Sequence, residues 1–440
     1  MSQRAPEHEA ILPGCLCASE SAAARPQETR AAGRTEMVVR RTLPRLVTVL
    51  GLLALGLPFF GQSASFHEDT LHGRRAFVLE NGKIRVSTLP GGGYFGEIRF
   101  KSEDPKKSVN PMRVPHYQTI DPYTFDMAKH GPLYGTGNQR LIMSGYMGHF
   151  LCFPTFGQGS EAELSRGFAA HGEALAVEWK QQKVETANGA VTLRYGADLP
   201  LTQFRVARAV TLLPGETVGY VEESVENLTS FDRPVQWVQH ITFGPPFLEV
   251  GKTRVDAPVA KGVAGRLRQG PQDPPEGAWP LVKDAQGKTT DLRLFSGESG
   301  TWLLDRSRPQ VYFAMYNPDY PVLIGYIFPS ATNPWVLDWQ ENQRAKQIPW
   351  DGQAIARGIC IGDSPVEGLR NAIRRESIFG APVYSWIEAG QRRTQNYTFF
   401  LAEIPLGFKG VDDLRVEAGK IVIVERETGK AITLASERLR

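Results

Sequence analysis

Two histidines and two carboxylates in this chain have the surroundings that proton-transfer chemistry requires. His240 lies within Trp237-Val238-Gln239-His240-Ile241-Thr242-Phe243-Gly244, a strand-like run whose apolar neighbours would half-bury an imidazole, tune its basicity and fix its orientation. His171 follows Ala169-Ala170 and precedes Gly172, a residue that lets backbone approach a partner closely. Asp338 and Glu341 share the run Val336-Leu337-Asp338-Trp339-Gln340-Glu341-Asn342. Three positions apart in a regular strand, they point to opposite faces, so at most one can serve a common site. An imidazole and a carboxylate on two sides of a bound molecule can deliver one proton and remove another without a cofactor. Each residue also has an ordinary reading. His240 suits a hydrogen-bonded core position, His171 a surface turn, and either carboxylate a solvated face.

The elements that must position these residues read as strands. Ile84-Arg85-Val86-Ser87-Thr88-Leu89 alternates at period two and runs into Pro90-Gly91-Gly92-Gly93; Val191-Thr192-Leu193-Arg194-Tyr195 alternates again. Residues 204–213, the turn Pro214-Gly215-Glu216 and residues 217–225 form a hairpin signal, repeated by 421–424 and 431–434 around Glu427-Thr428-Gly429-Lys430. Further strand-like runs cover 311–315, 322–328, 336–339 and 397–403. One helix is expected, with Ser364 as cap, Pro365 at its first position, Glu367 completing a capping box, and a stop at Gly380 and Pro382. The stretch 270–277, rich in Gly and Pro, reads as a loop excursion within one domain. Many strands in an unbroken chain, with 44 Gly and 31 Pro, point to a large all-β sandwich spanning 66–440.

Charge excludes one class of partner. From position 66 onward the chain carries 43 basic and 42 acidic residues, without the cationic excess that nucleic acid demands. The N-terminal part reads as a targeting segment. A basic Met37-Val38-Val39-Arg40-Arg41 leads to the uncharged apolar run 46–60 and then small residues to Ser65, the three parts of an export signal at 37–65. The apolar run is short for a membrane span, although a short uncleaved anchor is the alternative. Residues 1–36 read as a disordered extension or as sequence upstream of a true start at Met37. The expected location is the periplasm or the extracellular space, where Cys152 and Cys360 could form one disulfide. No Cys/His spacing of the zinc type is present.

Several motifs, in order, resemble the aldose 1-epimerase (galactose mutarotase-like) superfamily. They are Asn81-Gly82-Lys83-Ile84 through Gly93 and Glu97-Ile98, then Gly148-His149-Phe150, His171-Gly172-Glu173-Ala174, Trp237 to Gly244, and the acidic segment 337–342 with Pro349-Trp350. The resemblance extends through 358–365 and 379–386 and covers about residues 75–405. It implies a β-supersandwich of two large, mainly antiparallel sheets with few short helices and a sugar in a groove. It implies opening and reclosing of an aldose ring by acid–base catalysis, with His240 as general acid and His171 bonded to the sugar ring. Glu341 is preferred as base over Asp338, which fits the acidic-x-Gln pattern, because Glu341 lies nearer the strand end and reaches further. No cofactor or metal is implied; the partner is a monosaccharide or oligosaccharide. Aromatic platforms for sugar C–H faces are expected from Trp237, Trp339, Trp350, Phe153 and Tyr146, and hydroxyl contacts from His149, Gln239, Arg205 and Arg208. One departure stands out: Gly358-Ile359-Cys360-Ile361-Gly362 has a thiol where relatives often carry Glu. A non-catalytic sugar-binding protein, which Cys360 favours, and a polysaccharide lyase, whose catalytic domains can share this architecture, are the rival functions.

Overall fold

The computed structural model describes residues 63–267, 273–283 and 287–439. The segment 1–36 and nearly all of the expected export signal lie outside the described residues. Two sheets dominate. The larger has ten strands, in spatial order Ser65–Leu71, Arg74–Glu80, Ile84–Leu89, Tyr94–Phe100, His149–Cys152, Val238–Phe243, Ile355–Gly362, Trp335–Asn342, Gly300–Leu304 and Val259–Ala264. The second has eight, in the order Arg254–Asp256, Gln310–Tyr316, Val322–Pro329, Arg392–Glu403, Val218–Asn227, Phe204–Leu212, Ala190–Leu199 and Lys180–Ala187. All pairings in both are antiparallel. Both expected hairpins form, with Gly215 at φ 70° in the first turn. The Lys420–Glu425 and Ala431–Ala435 hairpin belongs to a separate three-stranded sheet with Val411–Glu417.

The two large sheets stack through an apolar core containing Phe77, Ile98, Val206, Ile241, Ile324, Ile359 and Phe399. The ten-stranded sheet is covered on its other face too. Two helices, Met127–Tyr134 and Arg140–Gly145, and the loop from 343 to 354 bury a second cluster holding Met143, Tyr146, Phe150, Val238, Leu337 and Trp350. Strands packed on both faces explain why nearly every residue of Val238–Phe243 and Trp335–Asn342 is buried, the polar ones included.

The helices differ from expectation. The expected C-terminal helix spans only Leu369–Arg375, capped by Gly368 at φ 84°. Ser364 turns inward instead, its Oγ accepting from Val366 N–H and from Gln236 Nε2. Glu161–Ser165, unforeseen, begins with a true capping box of Ser160 and Glu163. The possible disulfide is absent: Cys152 and Cys360 are both free and buried. They sit on the two strands flanking Val238–Phe243. Two interstrand steps, about 9–10 Å, exceed the roughly 7 Å Cα limit for a bridge.

Candidate functional site

Strand register builds the site. Across the covered face of the large sheet, Phe150, His240, Cys360 and Leu337 form one row, and Thr242, Gly358 and Trp339 the next. Gly358 keeps the second row open, since a Cβ there would lie 2.7 Å from His240 Cε1 and 3.2 Å from Trp339. The His240 ring stacks on Phe150 at 4.6 Å between centroids, and its Nδ1 lies 2.9 Å from Thr242 Oγ1. Thr242 Oγ1 in turn lies 3.2 Å from Tyr146 Oη.

His171 enters from a loop and meets His240 edge to face at 5.3 Å. Its backbone is left-handed, φ 65°, a conformation held by its N–H on Gly157 O at 2.7 Å. Gly172 is needed because a Cβ there would lie 2.3 Å from Phe153 O. The close approach expected of this glycine is therefore to the neighbouring backbone and not to a ligand. His171 Nδ1 contacts Cys152 Sγ at 3.4 Å. Glu173 is buried, accepting from the backbone N–H groups of Leu201 and Thr202 and from the Thr202 hydroxyl.

His171 and His240 line one cavity of about 270 Å³, a volume near that of nine liquid waters. Trp339, Trp350, Tyr146 and Phe156 give it aromatic walls; His171, His240, Glu341, Gln158 and Gln347 give it polar groups. Arg266 and Glu367, paired at 3.0 Å, also face it, as does the Cys360 thiol. Glu341 is held through one oxygen: Oε1 accepts from the backbone N–H of Arg344 at 2.6 Å and of Ala345 at 3.1 Å. Of the expected site residues, the structure brings His171, His240, Glu341, Trp339, Trp350 and Tyr146 together.

The others are elsewhere. Asp338 is fully buried on the opposite face of its strand, clamped by Arg357 through Nε at 3.0 Å and Nη2 at 2.8 Å, with Gln340 Nε2 at 2.9 Å. The opposite-face separation of Asp338 and Glu341 follows from strand geometry, and it removes Asp338 from the cavity. His149 and Gln239 point between the sheets, 2.8 Å apart, within a buried network in which Gln239 and Trp237 both donate to Glu223 Oε1 and Arg208 holds Glu223 Oε2. His149, Gln239 and Trp237 are thus core groups, one register step away from the row that carries His240. Phe153 also packs in that core. Arg205 is on the far sheet, paired with Asp198 at 2.7 Å and facing solvent.

Burial governs the titration of the site. Desolvation, with smaller repulsion from Arg266, pushes His171 down to about 3; desolvation and the neighbouring histidines hold His240 well below 6.5. Both imidazoles are neutral near pH 7. The folded value of His171 is depressed, so the unfolded chain binds the extra proton. Its stabilising contribution is complete above about 6.5 and is lost as pH falls toward 3. The stability difference between wild type and His171→Asn should therefore shrink by up to about 1.4 kcal/mol per pH unit below 6.5. Urea titrations at pH 7.0, 5.5 and 4.5 measure it, and a pH-independent difference would contradict the assignment.

With this geometry in view, similarity to solved structures is informative. A candidate aldose 1-epimerase from Klebsiella pneumoniae subsp. pneumoniae superposes with TM-score 0.55 and 14% identity, over 77% of this chain and 84% of that one. The fold is galactose mutarotase-like. A galactose mutarotase-like protein from Clostridium acetobutylicum aligns at TM-score 0.49 and 13% identity, over 78% of this chain and 99% of that one. No protein-family model matches the sequence, and no curated protein is significantly similar to it. In this mutarotase-like sandwich, no described helix is long and apolar enough to cross a membrane. No group of three or more His, Cys, Asp or Glu suited to a metal occurs among the described residues. Tyr146 was foreseen only as a stacking platform; the roles of Thr242, Arg266 and Glu367 were not foreseen. Thr242 had a sequence signal, since a residue two positions along a strand from His240 shares its face.

Proposed function

We propose that the protein is an exported aldose 1-epimerase-like enzyme that binds a sugar in this cavity and interconverts its anomers. The observation that carries the reading is the convergence of two neutral imidazoles and one backbone-anchored carboxylate on a single aromatic-walled cavity. Glu341 takes the proton from the anomeric hydroxyl. The ring oxygen, which gains charge as its bond to the anomeric carbon breaks, is met by the His240 N–H, with His171 as second donor. The aldehyde then rotates, the ring oxygen attacks its other face, and Glu341 returns the proton to the new anomeric hydroxyl. His240 acts here as a neutral N–H donor, since its burial disfavours the imidazolium first expected of a general acid. Trp339 and Trp350 offer flat apolar surface to the sugar C–H groups.

Polarimetry of freshly dissolved α-D-glucose, α-D-galactose and other aldoses tests the proposal. Faster optical drift with enzyme is expected for at least one of them. No acceleration by folded protein would favour a binding protein without catalysis, the reading that Cys360 in the cavity supports. Export is part of the proposal and rests on the tripartite segment 37–65, with the first described strand beginning at Ser65. N-terminal sequencing of protein from the producing cell should start between residues 62 and 67; an intact Met1 form in the cytoplasm would contradict it.

A further inference from the structure

The row behind His240 contains one unresolved chemical choice, namely which ring nitrogen carries the hydrogen. His240 Nδ1, Thr242 Oγ1 and Tyr146 Oη form a buried chain with links of 2.9 Å and 3.2 Å. Tyr146 and Thr242 are almost wholly buried. A neutral imidazole has one N–H, and each hydroxyl has one O–H to place. The Tyr146 hydroxyl has no second protein acceptor among the described residues; Thr242 Oγ1 is the oxygen it reaches. If Tyr146 donates to Thr242, the Thr242 hydroxyl hydrogen is directed onto His240 Nδ1. In the reverse polarity, Nδ1–H donates to Thr242, Thr242 donates to Tyr146, and the phenol hydrogen is left without a protein acceptor, at a cost of about 1–3 kcal/mol for a buried group.

Other contacts fix the phenol in place. The Arg113 guanidinium lies over the Tyr146 ring, 4.4 Å from its centroid, and donates to the Tyr146 backbone carbonyl. Tyr146 also keeps its proton, because burial drives its ionisation far above the ordinary value.

We propose that Tyr146 and Thr242 hold His240 as the Nε2–H tautomer, so that the ring presents an N–H donor, not a lone pair, to the cavity. Both are positioning residues that act through His240. His171 has a parallel contact: the buried Cys152 thiol meets Nδ1 at 3.4 Å, and donation from the thiol would leave the other nitrogen of that ring as donor. A site with two N–H donors opposite one carboxylate acceptor matches a ligand that offers an acceptor oxygen next to a hydroxyl. A cyclic hemiacetal does so with its ring oxygen and anomeric hydroxyl. That last step rests on the anomer-interconversion reading; the tautomer itself does not.

The test is two-bond ¹H–¹⁵N correlation NMR of histidine-labelled full chain, with His240 assigned by its loss in His240→Gln. The expected wild-type pattern is Nε2–H. Thr242→Val, close in shape, should mix the tautomers or favour Nδ1–H, and Thr242→Ser should restore the wild-type pattern. By polarimetry, Thr242→Val should lower kcat about tenfold with KM changed far less, and Thr242→Ser should recover it. Nδ1–H in the wild type, or an unchanged pattern in Thr242→Val, would overturn the inference. Nε2–H together with no epimerised sugar would sink the functional reading and leave the tautomer assignment standing.

Discussion

Replacing His240 by alanine should lower kcat for anomer interconversion by about 10²–10⁴-fold while the sandwich remains folded. The ring touches the cavity through its exposed edge and is otherwise held by Phe150, Thr242 and the bare backbone of Gly358. In the proposed mechanism its removal takes away the donor to the ring oxygen, without breaking a core ion pair. Glu341→Gln should cause a loss of similar size. The amide keeps an acceptor oxygen for the Arg344 and Ala345 N–H groups but no longer accepts a proton. Progress curves at saturating sugar, with circular dichroism as the folding control, would measure both. Full activity in either folded variant would remove that residue from the mechanism.

Asp338→Asn should behave in the opposite way, losing stability while keeping turnover per folded molecule. Its carboxylate is bidentate with Arg357, and both side chains are inaccessible to water. Arg357 is further fixed by the carbonyls of Leu292 and Arg293. Removing one partner leaves the other charge buried and unpaired, which costs about 3–5 kcal/mol. Chemical denaturation should show an unfolding free energy lower by that amount, and Asp338→Leu combined with Arg357→Met should recover part of it. A stable Asp338→Asn protein with abolished kcat would return Asp338 to the catalytic role for which its sequence pattern first made it a candidate.

The contrast between these carboxylates shows what sequence could reveal. Period-two alternation was enough to say that Asp338 and Glu341 part company, because it is a property of the strand itself. Which face is the site depends on what covers the sheet, and that is tertiary. The same ambiguity sent His149 and Gln239 to the wrong list. They neighbour Phe150 and His240 in sequence, yet side chains one position apart in a strand lie on opposite faces, and these two join the Glu223–Arg208 network between the sheets. The hairpins and most strands were legible because turn residues and alternation are local. The Met127–Tyr134 helix was not, since Gly131 and Pro132 within it argue against helix, and its Asp126 cap and the burial of Tyr134 in the second cluster override them. The Ser160–Glu163 capping box is visible in the sequence, but the helix it starts, five residues long, is too short to carry a periodic signal.

The cover over the large sheet has a thermodynamic consequence. The cavity wall formed by Ile142, Met143, Tyr146 and Trp350 is also the apolar face by which the two helices and the 343–354 loop adhere to the strands. The proposed binding site is thus a gap in a small core, so ligand occupancy and cover attachment would share one equilibrium. A sugar that fills the gap adds RT ln(1 + [L]/Kd) to the free energy of opening the cover, about 2.7 kcal/mol at a hundredfold excess over Kd. Amide hydrogens in 127–145 should then exchange about a hundredfold more slowly in the presence of the right sugar, whereas those of the Phe204–Leu212 and Val218–Asn227 hairpin, in the other sheet, should respond far less. Exchange protection would in this way identify the ligand of the site without requiring that any bond be made or broken.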